Sequence, residues 1–136
     1  MVTEPVVGFL DAEELAVAYL TDELDRRRPG VHVATRTPTS REPEMVKVTR
    51  TGGLRRDMVT DTPQLTFECW AASDSDAYDL ARLVRALIWA LPGRGTHGRY
   101  VRHVDEIGGP TYFEDPDTTS PRYQLTVELS TRGSEL

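Results

Sequence analysis

Ser73–Leu91, SDSDAYDLARLVRALIWAL, decides the fold. Ala77, Leu80, Ala81, Val84, Leu87, Ile88 and Leu91 recur at helical spacing and make one apolar stripe. Ser73 is placed to cap the start, and Asp74 and Asp76 sit in the first turn, where the helix dipole favours negative charge. Pro92-Gly93 ends the helix. The stripe needs a surface to pack on, so the flanking segments must supply a sheet. The opposite face carries Tyr78, Arg82, Arg85 and Trp89. A buried stripe accounts for the helix; it gives no reason for a Trp beside two Arg on the far side.

Upstream lies a second helix. Asp11 and Glu14 form a capping-box pattern, and the helix is expected to run to about Arg28, with Arg26, Arg27 and Arg28 at its negative end. Ala16, Val17, Leu20 and Leu24 make one stripe, while Ala12, Leu15 and Tyr19 fall roughly opposite. That second set implies either cover from the N-terminal arm, residues 1–10, or a contact with another subunit.

Between the helices, Val31–Thr37, Met45–Thr51 and Gln64–Ala71 read as strands. In the third, Leu65, Phe67 and Cys69 share one face and Thr66, Glu68 and Trp70 the other. After the second helix come a Gly-rich bend, GRGTHG, a strand from Arg99 to Ile107, and a break at Gly108-Gly109-Pro110. The polar loop TYFEDPDTTSP follows, then the cleanly alternating strand Arg122–Thr131 and a loose tail, residues 132–136. The order α-β-β-β-α-β-β and the short links predict an α+β single domain, residues 1–136. It should hold one mainly antiparallel five-stranded sheet with two amphipathic helices on one face.

At 136 residues, 38% hydrophobic and 28% charged, the chain can bury one ordinary core. A net charge of −6 argues against broad affinity for phosphate backbones. No apolar run approaches ~20 residues, so no membrane span is expected, and no basic leader suggests a secretory signal. The lone Cys69 allows no intrachain disulfide and reads as a small core residue.

Catalytic and metal-binding signatures are weak. His32, His97 and His103 stand apart, outside any zinc spacing. His103 and Asp105 share a strand face, an acid–base pair in principle and a charged surface strand in the simpler reading. Glu114, Asp115 and Asp117 suggest a calcium loop, yet they lack its glycine and terminal glutamate and are interrupted by Pro116, so a solvated loop is expected. No catalytic residue, cofactor or metal site is therefore assigned.

Interaction features are stronger. The twelve-residue connection GGLRRDMVTDTP carries Arg55 and Arg56 among apolar Leu54, Met58 and Val59, whose exposure would be costly without a partner. Tyr78, Arg82, Arg85 and Trp89 are residue types enriched at binding hot spots, and Leu15 and Tyr19 occupy the spare face of the first helix. The plainer alternative folds the loop onto its own subunit and tucks Trp89 under the GRGTHG bend.

Three stretches carry a resemblance: DAEELAVAYLTDEL, VKVTRTGGLRRDMVTDTPQLTFECWAASDSDAYDLARLVRALIWAL and EIGGPTYFEDPDTTSPRYQLTVEL. In this order the chain resembles the tail terminator proteins of long-tailed (siphovirus-type) bacteriophages infecting actinobacteria. The resemblance implies a virion tail protein, assembled in the host cytoplasm as a homo-oligomeric ring, typically a hexamer. Such a ring caps the tail tube, stops its elongation and docks the head-side connector. The implied partners are further copies of the chain, the tail tube protein and the connector, while DNA passes without specific binding. Glu68 and Glu128 become channel-lining candidates if the polar sheet face turns inward. Other readings are a head–tail connector, neck or tail-completion protein, a small dimeric ligand-binding or adaptor domain, and an enzyme built on His103 and Asp105.

Overall fold

A computed structural model describes residues 4–38 and 43–136. The first helix, α1, spans Ala12–Arg27, and the second, α2, spans Asp74–Trp89. Both start as their sequences dictate. The Asp11 carboxylate accepts from the amides of Glu13 and Glu14, and the Ser73 hydroxyl accepts from the amide of Asp76.

The strands are β1 (Val7–Gly8), β2 (His32–Ala34), β3 (Met45–Gly52), β4 (Thr60–Asp61), β5 (Gln64–Trp70), β6 (Val101–Tyr112), β7 (Arg122–Arg132) and β8 (Ser134–Glu135). β3, β5 and β7 pair antiparallel in that order, and β6 takes the free edge of β7. β4 continues the line of β5 along β7, pairing Thr60 with Arg132 and Asp61 with Thr131. One apolar cluster joins the inward residues of the sheet, including Val46, Val48, Leu65, Phe67, Cys69, Leu125, Val127 and Leu129, to the stripes of both helices. Both helices therefore cover one face. Cys69 lies fully inside, where burial pushes its thiol well above the usual value.

The α+β class and the mainly antiparallel sheet hold, but the strand count needs correction: the sheet is curled, has six strands and includes one parallel pair. β2 runs parallel to β3, with His32, Val33 and Ala34 beside Met45, Val46 and Lys47. The link between them is long enough to bring the chain back to the same end, so no hairpin forms. Residues 39–42 of that link lie outside the described residues. β2 is also shorter than the expected Val31–Thr37.

The expected break at Gly108-Gly109-Pro110 does not end β6. The strand crosses it and rejoins β7 at Thr111–Gln124 and Tyr112–Tyr123, with register shifts on either side of Gly108. Pairing along β7 keeps the chain extended, and the Gly-Gly-Pro run becomes a bulged edge instead of a stop. The tail at 132–136 is likewise not loose. β8 pairs with β1 through Val7–Glu135 and Gly8–Ser134, and the amide of Leu136 donates to the carbonyl of Val6 at 2.7 Å. Gly133 permits this close approach, since a Cβ there would stand 2.5 Å from the Val7 side chain.

The spare face of α1 is mostly occupied within the subunit. Tyr19, expected at an intersubunit contact, is only 2% exposed. Its hydroxyl donates to the Leu87 carbonyl of α2 at 2.6 Å. Burial, then the Glu23 carboxylate, pushes the phenol above its usual pKa. Leu15 is half-buried against the same core. Tyr19 thus belongs to the α1–α2 contact, a correction that follows from a ring large enough to reach past the helix edge. Tyr19→Phe removes one buried hydrogen bond. It should cost about 1 kcal/mol in urea denaturation and leave self-association unchanged; the opposite pattern would return Tyr19 to an interface.

Candidate interaction surfaces

The long connection after β3 is an ordered tongue. Gly53 turns the chain with φ at +96°, and a Cβ there would strike the Thr62 carbonyl. The amide of Thr62 donates to the Leu54 carbonyl at 3.0 Å, Arg55 bridges to Asp61, and the amide of Arg56 donates to the Thr60 carbonyl at 2.9 Å. Arg55 is spent inside the tongue: its guanidinium donates to the carbonyls of Asp57 and Met58 and lies 4.9 Å from the centre of the Phe9 ring. The Asp57 carboxylate accepts from the Val59 amide, which helps hold its pKa below the usual carboxylate range.

With its backbone fixed this way, the tongue still exposes apolar side chains. Leu54 is 80% exposed, Met58 60% and Val59 47%. Arg56 is exposed, and among the described residues it has no ion-pair partner. Of the two arginines singled out in the sequence, one builds the tongue and one faces outward.

The outer face of α2 divides similarly. Arg85 makes a two-pronged ion pair with Glu106 of β6 at 2.6 and 2.7 Å, and the Trp89 side chain acts on the same carboxylate. Arg85 and Trp89, in that order, hold the Glu106 pKa below its usual value. Arg85 is therefore a clamp between helix and edge strand. Trp89 is not tucked under the GRGTHG bend; half its surface stays open, and Arg82 is exposed beside it. The bend instead ties to α1 through His97 and Asp22, 2.6 Å apart.

A third surface escaped the sequence reading. Tyr78 of α2, Tyr123 of β7 and Tyr112 of β6 stack edge to face, with ring centres 5.4 and 5.5 Å apart. Partial burial, then the charges of Asp74 and Glu114, raises the Tyr112 pKa. Phe113 and Glu114 project beside this cluster, with Phe113 about half exposed. The loop beneath them is not the solvated acidic run expected from sequence. Asp115 is buried, accepting from the Trp70 indole at 3.0 Å and from the Asp117 amide at 2.9 Å. Reading GGPTY as a break hid this cluster, because Tyr112 gains its neighbours only when β6 continues.

The acidic candidates lie on the polar sheet face. Glu68 is 3.5 Å from Arg122 and sits opposite Lys47 across the strands, so its charge is offset. Glu128 pairs in register with Asp105 and lines a shallow cleft with Arg55 and Arg56. Between them, Thr51, Thr66 and Thr126 form a hydroxyl chain at 3.2 and 3.0 Å. His103 and Asp105 meet at 3.0 Å on an open strand surface.

Glu106→Gln replaces the charged partner of Arg85. Because the folded-state pKa of Glu106 is depressed, the pair stabilises above the ordinary glutamate value and is lost as pH falls through the folded-state pKa. The variant should be less stable by no more than about 1 kcal/mol at pH 7, a gap that closes below pH ~4. Urea midpoints across pH check this.

No curated protein matches the sequence. A family model described as phage tail termination protein matches residues 8–135. The match runs from β1 to β8 and takes in the tongue, the α2 face and the aromatic cluster. The chain therefore belongs to the phage tail termination protein family, a component of the virion tail with a role in its completion.

Proposed function

We propose that the chain is a ring subunit that closes the end of the tail tube, halts addition of tube protein and offers the head-side connector a docking surface. One observation carries the reading: a tongue whose backbone is fixed by its own hydrogen bonds holds Leu54, Met58 and Val59 in water. Exposing apolar surface on an ordered scaffold is unfavourable, and contact with another subunit removes that cost without an ordering penalty. The proposed mode of action is assembly and not catalysis. Copies of the chain meet through the tongue, and Arg82 and Trp89 on α2 offer a separate surface for tube or connector. If the polar sheet face lines a channel, Glu128 and Asp105, adjacent in register, are its acidic pair, with Arg55 and Arg56 beside Glu128 as Arg122 is beside Glu68.

Deleting the gene from its phage tests the role. Overlong tails unattached to heads are expected in electron micrographs. Tails of normal length joined to heads would overturn it.

A further inference from the structure

We infer that the tongue of one copy docks on the acidic aromatic cluster of the next, Tyr78, Tyr112, Phe113 and Glu114, so that subunits join head to tail. The inference rests on the ring reading above and supplies the surface that reading leaves unnamed.

The two surfaces match in chemistry. The tongue presents apolar Leu54 and Met58 with the exposed cation of Arg56, which makes no ion pair among the described residues. The cluster presents aromatic Tyr112 and Phe113 with Glu114 and Asp117, both exposed and, among the described residues, outside any ion pair. Each is rigid: Arg55 braces the first, and Asp115 under the Trp70 indole braces the second. Apolar contact with opposite charges at its rim is the usual construction of a specific interface.

Their placement decides the occupant. The tongue leads into β4, which pairs with β7 at Thr131 and Arg132, whereas the cluster sits at Tyr123 of the same strand. Eight residues of extended chain separate Tyr123 from Thr131, roughly 26 Å. A tongue braced at its own end cannot reach the cluster of its own chain, but it can reach that of a second copy. An interface of two unlike surfaces repeats from copy to copy and closes into a ring when the rotation allows.

The test uses Arg56→Glu and Glu114→Arg, both at exposed positions and each first checked for an unchanged urea midpoint. Native mass spectrometry and light scattering follow assembly, with the unsubstituted chain as control. Each variant alone should require at least about tenfold higher concentration to assemble. Mixing the two variants in equal amounts restores opposite charges at every contact, so alternating rings should form. The double variant Arg56→Glu/Glu114→Arg should also assemble. If the unsubstituted chain assembles and the single variants match it, or if neither the mixture nor the double variant recovers, the tongue–cluster contact is overturned while the ring stands. If the unsubstituted chain stays monomeric at the highest attainable concentration and on isolated tail tubes, both fall.

Discussion

Strand β7 holds the molecule together. It hydrogen-bonds along both edges, to β5 and β4 on one side and to β6 on the other, while Leu125, Val127 and Leu129 form an apolar row on one face. The stripe of α2 packs on that row, and α1 then packs on α2 and β3. A one-residue slip of β7 would turn the apolar row to solvent and Gln124, Thr126, Glu128 and Ser130 to the core, so its register constrains the pairings on both of its edges. The same strand sets the distance between the tongue and the aromatic cluster, one at each of its ends. Fold and interaction geometry thus share a single constraint.

Within that frame, side chains that look alike in sequence part company. Arg55 and Arg56 are neighbours, yet one is spent on the carbonyls of its own tongue and the other points into solvent. Arg82 and Arg85 lie one turn apart, and among the described residues only the second makes an ion pair with a carboxylate. Glu68 of β5 and Glu128 of β7 share a face of the sheet, and Arg122 lies 3.5 Å from the first. In the tongue, Arg55 braces the backbone that displays Arg56. Preorganisation of this kind suits a protein that acts by contact, because little ordering remains to be done when a partner arrives.

Much of the fold was legible in the sequence for local reasons. Caps at Asp11 and Ser73 and the 3.6-residue stripes locate both helices, and two-residue alternation locates β3, β5 and β7. What escaped depends on partners distant in the chain. Gly108-Gly109-Pro110 reads as a stop until β7 lies alongside and turns it into a bulge. Residues 132–136 read as loose until β1 pairs with them, and Tyr19 reads as surplus until the Leu87 carbonyl satisfies its hydroxyl. The tongue, Trp89 and Arg82 were visible as residues without an inward task. The cluster around Tyr112 was not, since a run of Gly, Pro and acidic residues conceals a paired strand and a buried Asp115.

The central claim is that apolar surface left open by one subunit is covered in the tail. Hydroxyl-radical footprinting of the free chain and of intact tails measures this directly, because Met58, Tyr112, Phe113 and Trp89 all bear oxidisable side chains. Strong labelling of Met58 and Phe113 in the free chain with marked protection in the tail is the expected result. Equal labelling in both states would contradict it.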